Sequence, residues 1–216
     1  MRVEIWSDLV CPWCYIGITR FERALADFEH AADVEVVHRS FELDPSRAAG
    51  ATERVTDMLT AKYGPRGATM DGEVAELARG EGLGYRTDRE VGSTLDAHRL
   101  LHFAREHGVQ HHLAKRLFTA HFAEGASLFT TEALVTLAKE AGLDPVEARG
   151  VLEDPQAYLD AVRADQGEAS RLGATGVPFF VIERKYGVSG AQPVETFREA
   201  LATAWTDSRA QDRQSR

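Results

Sequence analysis

Cysteine is scarce in this chain: it occurs twice in 216 residues, at Cys11 and Cys14. A bridge between two positions so close closes a tiny loop and removes little unfolded-state entropy, which excludes a structural staple as their purpose. Apolar runs long enough to span a bilayer are missing, and no membrane partner is expected. The start, MRVEIWSDLVCPWC, lacks the basic region, apolar stretch and small-residue cleavage site of a secretory leader, so a cytoplasmic address is expected. Positive charge is also in deficit, with 25 basic against 34 acidic residues and a net charge of −9. The basic residues are scattered, with no stripe interleaved with aromatics. A phosphate backbone is therefore a poor partner, and no nucleic acid is expected.

What remains is the balance of a soluble globular protein, 44% hydrophobic and 27% charged. The length suits one domain, or one domain carrying a large insertion. Residues 2–7 alternate polar and apolar as a strand does. After CPWC, the residues Cys14, Ile18, Phe21, Leu25 and Phe28 step by four and three, which places them on one helix face. Pro12 fits the first helical turn, where a missing N–H costs nothing. Residues 34–41 read as a second strand.

From about 44 to 172 the pattern turns helical. Helices are expected from Ser93 or Thr94, over 111–123, from Thr130 or Thr131, from 144–145, and over 156–172. Residues 64–72 and 80–92, rich in glycine and polar residues, read as loops. Strand character returns at 177–182 and 186–189. A last helix opens at Pro193 with Val194, Phe197, Leu201 and Trp205 on one face. The expected parts are 1–43 and 156–206 for an α/β unit, 44–155 for a helical insertion, and 207–216 for a frayed polar tail.

The spacing of the two cysteines carries the chemistry. A dithiol catalyst needs one accessible thiolate and a second thiol within bonding distance. Cys11 at the N-cap faces free backbone N–H groups and the positive end of the helix dipole, which favours its thiolate by about 0.3–2 kcal/mol. Cys14 lies one turn inside, on the buried face. Cys11 is thus assigned as nucleophile and Cys14 as resolving thiol. Half of a zinc site is the competing use of CxxC, but no second pair exists. His107, His111 and His112 read as a solvated helix end, and no metal is expected. A second element is Gly176-Val177-Pro178, a proline heading an apolar strand where it cannot donate to the ladder.

Four segments, SDLVCPWCYIG (7–17), STLDAHRL (93–100), GVPFFVI (176–182) and GVSGAQP (187–193), resemble DsbA-like proteins of the thioredoxin superfamily, of the FrnE type. The resemblance implies an α/β, thioredoxin-like fold interrupted by a large all-helical insertion. It implies a cis Pro178 lying against the dithiol, with Val177 offering backbone groups to a substrate. His98 stands in a family-like segment and is a candidate for lining the substrate groove. Trp13 is a candidate substrate contact. Asp8 is a candidate proton relay for Cys14, beside its plainer reading as a turn residue.

The leading reading is a thiol–disulfide oxidoreductase or isomerase. Its partners are disulfide- or dithiol-containing proteins or peptides, or a small thiol such as glutathione, and it requires no cofactor. Two alternatives are a glutathione-dependent isomerase or transferase resembling 2-hydroxychromene-2-carboxylate isomerase, and a peptide-binding, chaperone-like module. An edge strand or an exposed apolar groove would support a homodimer.

Overall fold

The computed structural model describes residues 1–214. The chain begins strand–helix–strand, with β1 (Arg2–Ser7), α1 (Pro12–Ala26) and β2 (Glu35–Ser40). Then follow β3 (Glu53–Arg54), α2 (Val55–Tyr63), α3 (Gly67–Gly80), β4 (Glu90–Val91), α4 (Leu95–Glu106), α5 (Gln110–Thr119), α6 (Thr131–Glu140), α7 (Pro145–Glu153) and α8 (Leu159–Arg171). The chain closes with β5 (Phe179–Ile182), β6 (Tyr186–Ser189) and α9 (Val194–Gln214). The main sheet has the order β2-β1-β5-β6, with β1 parallel to β2 and antiparallel to β5.

The period-two alternation of a strand sorts the core into two layers. Val3 and Ile5 of β1, with Phe180 and Ile182 of β5, face the main apolar cluster, which includes Phe21 of α1 and Phe197 of α9. Trp6, Phe179 and Val181 point the other way and pack with Ala169 of α8. Glu4 lies within this buried strand, and its charge is met by Arg39 and by Arg184. Both faces of the central strand are covered.

The outer edge of β2 is closed by side chains. Gln110 of α5 accepts from the His38 N–H at 3.0 Å and donates to the His38 carbonyl at 2.9 Å. The Ser40 N–H donates to Asp165 at 2.9 Å.

Three expectations need correction. Residues 64–72 are not a loop, because α3 starts at Gly67 after a single tight turn at Gly64–Arg66. Gly67 is there for contact: a Cβ on it would stand 2.1 Å from the Leu59 carbonyl oxygen of α2. The segment 80–92 is largely irregular but ends in β4, which pairs with β3 in a two-residue antiparallel ladder. The tail expected to fray at 207–216 continues α9 as far as Gln214, and residues 215–216 lie outside the described residues. Asp207 holds it, accepting from Lys185 at 2.5 Å and from the Tyr186 hydroxyl.

Candidate active site

The turn from β1 into α1 is short because the Cys11 N–H donates to the Asp8 carbonyl at 3.1 Å. Cys11 occupies the N-cap in an extended conformation, with Pro12 at the head of the helix. Trp13 projects outward, 44% exposed, while Cys14 turns into the core and is fully buried. The two sulfurs lie within hydrogen-bonding reach of each other. Burial pushes the Cys14 thiol well above its ordinary value; its hydrogen bond to Cys11 and the Cys11 charge act the same way. A hydrogen bond from the Asp8 backbone opposes them, and the Asp8 charge adds to the rise. Cys14 is therefore a thiol near neutrality and has to lose a proton in order to attack.

A second strand brings the other half of the site. The peptide bond between Val177 and Pro178 is cis. The Cys11 thiol donates to the Val177 carbonyl at 3.7 Å, a weak sulfur hydrogen bond. The Pro178 carbonyl in turn accepts from the Gly190 N–H at 2.8 Å, fixing the loop to the end of β6. Gly17 makes this approach possible. A Cβ there would meet Pro178 Cγ at 2.8 Å and Ala191 Cα at 3.2 Å. Sequence reasoning passed over Gly17; the signal was a glycine inside a strongly periodic helix, which calls for a packing reason. Gly17→Ala is expected to lower stability by up to about 2 kcal/mol, the cost of overpacking (about 1–3 kcal/mol) less the roughly 1 kcal/mol gained in helix propensity. A urea midpoint at or above that of the parent would count against the contact.

Asp8 is buried, and one carboxylate oxygen accepts from the Leu43 N–H at 2.7 Å. The other has no hydrogen-bond partner among the described residues and stands 3.7 Å from His98 Nε2. His98 is fully buried behind Asp8 on α4 and does not line the cavity. The expected groove-lining role for His98 does not fit this position. A helical histidine was legible in the sequence, but the direction of its helix face was not. His121 adds to the same buried polar cluster: burial and the Arg89 charge lower it to about 3, with the Asp8 charge opposing.

In front of Cys11 opens a cavity of about 750 Å³. Asp8, Cys11, Trp13, Gly176 and Val177 line one side, and the α2–α3 hairpin and β4 form the other. The sequence reading missed this second wall. Its signal was the spacing of Val55, Met58 and Leu59, then Met70 and Val74, at helical intervals on either side of Gly64 and Pro65. Beneath the wall, Arg89 bonds Asp71 through two nitrogens at 2.9 and 2.7 Å. The Tyr85 hydroxyl donates to Asp71 at 2.7 Å and accepts from Arg89 at 2.8 Å. No cluster of metal-ligating side chains occurs among the described residues, and no helix there is long and apolar enough to cross a membrane.

Comparison with known proteins agrees with this geometry. The DSBA-like thioredoxin domain family matches residues 2–202. The uncharacterized protein YwbO of Bacillus subtilis is 30% identical over 203 residues, covering 94% of this chain and 96% of its own length. The crystal structure of a probable DsbA oxidoreductase from Streptomyces coelicolor is 56% identical, with a TM-score of 0.90 over 95% of this chain and 90% of that one. The cytosolic disulfide reductase DsbM of Pseudomonas aeruginosa, solved with GSH, shares the fold at 20% identity, with a TM-score of 0.66 over 95% of this chain and 100% of that one. A 2-hydroxychromene-2-carboxylate isomerase shares it at 13% identity, with a TM-score of 0.70 over 97% and 98%.

Proposed function

Because the chain belongs to the DSBA-like thioredoxin domain family, we propose that it is a thiol–disulfide oxidoreductase in which Cys11 attacks and Cys14 resolves. One observation carries the assignment: of two neighbouring cysteines, Cys11 borders the cavity while Cys14 is sealed beneath it. In the oxidation of the dithiol, the Cys11 thiolate attacks one sulfur of a substrate disulfide. The substrate S–S bond breaks and the first thiolate leaves. Cys14 then loses its proton and attacks Cys11, forming the internal disulfide and releasing the second thiol. The reverse sequence oxidises a substrate dithiol. The two cysteines hold both electrons, so the reaction as proposed uses no cofactor.

The remaining residues take supporting roles in this reading. Val177 bounds the space where a mixed disulfide forms, with Pro178 packed behind it against Gly17, and Trp13 contacts the incoming group at the mouth. Asp8, with His98 behind it, receives the proton that Cys14 gives up; its unpartnered oxygen supports that role. The four motif segments support a FrnE-type assignment within that family. In a cytoplasmic setting the net direction is reduction or isomerisation of protein, peptide or small disulfides.

Mass spectrometry of the reduced protein after mixing with a linear disulfide tests this directly. The parent should lose two hydrogens across Cys11 and Cys14. Cys14→Ser should stop at a mixed disulfide on Cys11 and lose turnover, and Cys11→Ser should form no adduct. An adduct on Cys14, or turnover surviving in Cys14→Ser as in a one-thiol isomerase, contradicts the assignment.

A further inference from the structure

The cavity beside Cys11 is more selective than disulfide exchange requires. Its walls come from the head of α1, the segment after β2, the α2–α3 hairpin, β4 and the loop before β5. A volume of about 750 Å³ is in the range of a small-molecule pocket. The far wall is apolar, built by Val55, Met58, Leu59, Met70, Val74 and Val91. The mouth is apolar as well. Trp13, Leu43 and Tyr63 border it, and they are three of the five large hydrophobic side chains exposed among the described residues. Apolar exposure concentrated in this way marks a binding surface.

The charges at the cavity are largely matched within the chain. Arg89 is bound by Asp71. Arg47 pairs with Glu53 at 2.8 Å and Asp44 at 3.3 Å. Counting Lys62, three cations face four carboxylates, those of Asp8, Asp44, Glu53 and Asp71. With four carboxylates against three cations, the lining carries a formal negative charge that disfavours an anionic ligand.

We propose that the physiological partner is a small disulfide that bears no negative charge and carries an apolar arm lying against the α2–α3 hairpin. The proposal rests on Cys11 being the attacking sulfur. The exchange balances as written above: one substrate disulfide and the protein dithiol give two substrate thiols and the Cys11–Cys14 disulfide.

A series of symmetric disulfides tests it without altering the protein. N-acetyl-, N-butanoyl- and N-octanoylcysteamine disulfides present the same amide and nearly the same leaving thiol, so only the arm differs. The second-order rate constant for oxidation of the reduced protein should rise at least tenfold from acetyl to octanoyl. Oxidised glutathione, which carries net negative charge, should react more slowly than the octanoyl compound. Met58→Glu should bring the octanoyl-to-acetyl ratio down towards one. A flat or falling series, or glutathione disulfide reacting fastest, overturns the proposal while leaving the oxidoreductase reading intact. If none of the disulfides oxidises the cysteines, the underlying reading itself fails.

Discussion

Asp71→Ala is expected to destabilise the protein by about 3–5 kcal/mol, the usual cost of breaking a buried ion pair from one side. Asp71 and Arg89 are both almost fully buried. Arg89 also lies over the rings of Tyr85 and Phe122, 4.5 and 4.7 Å from their centroids. Removing the carboxylate leaves the guanidinium without its counter-charge in a site that water reaches poorly. It also removes the acceptor of the Tyr85 hydroxyl, whose ionisation burial already suppresses. The cost therefore comes chiefly from the stranded partner, and the pair's own net contribution is smaller. Accordingly, Asp71→Leu combined with Arg89→Met should recover much of the loss, because both charges go together. Urea denaturation of the three proteins gives the comparison. A single-variant cost below about 1 kcal/mol would mean that the pair is hydrated and not sealed.

Acid should destabilise the protein before its carboxylates titrate. His38 is held at about 3 by burial, with the His111 charge acting the same way and the Glu22 charge opposing. His121 is held at about 3 for the reasons given above. In the unfolded chain both return to roughly 6.5. Below that value the unfolded state binds two protons that the folded state refuses, so stability falls as pH falls from about 6.5 towards 3. At about 1.36 kcal/mol per proton and pH unit, the two histidines together account for a loss of about 4 kcal/mol between pH 7 and pH 5. The hydrogen bonds support a neutral His38: its Nε2 lies 2.9 Å from His111 Nδ1, and His111 Nε2 is 3.1 Å from Glu22. Urea midpoints at pH 7, 6 and 5 measure the effect, and His121→Leu should remove about half of the decline. A midpoint unchanged from pH 7 to pH 5 would rule out neutral burial of these two side chains.

The parts of the molecule that could be read from sequence were those in which local periodicity and tertiary packing agree. The helix after CPWC has an unambiguous apolar face, and its burial places Cys14 inside while the N-cap leaves Cys11 at the cavity. Gly176-Val177-Pro178 was legible only in company with CPWC, because nothing local brings two segments more than 160 residues apart into contact. The cavity's far wall was hidden by its own glycines. Gly64 and Gly67 look like loop residues, yet Gly67 is the place where two helices meet backbone to backbone. Asp207 misled in the opposite sense. In a polar run it resembles the start of a frayed end, but Lys185 in the turn before β6 and Tyr186 at the head of β6 anchor it, and no local pattern reveals partners 22 and 21 residues away. His98 fell between these cases: its helix was legible, but that its side chain turns inward towards Asp8 follows from packing between segments far apart in sequence.

The amide of Gln110 and the carboxylate of Asp165 have a consequence for how this chain meets others. By occupying His38 and Ser40 they take up backbone valences that a border strand would otherwise present to a neighbour. Recruitment of a peptide or a second copy by strand addition along β2 is therefore blocked there, as is the stacking that leads exposed borders towards aggregation. A homodimer formed by strand addition would have to use another border, such as β6 at the opposite side of the sheet.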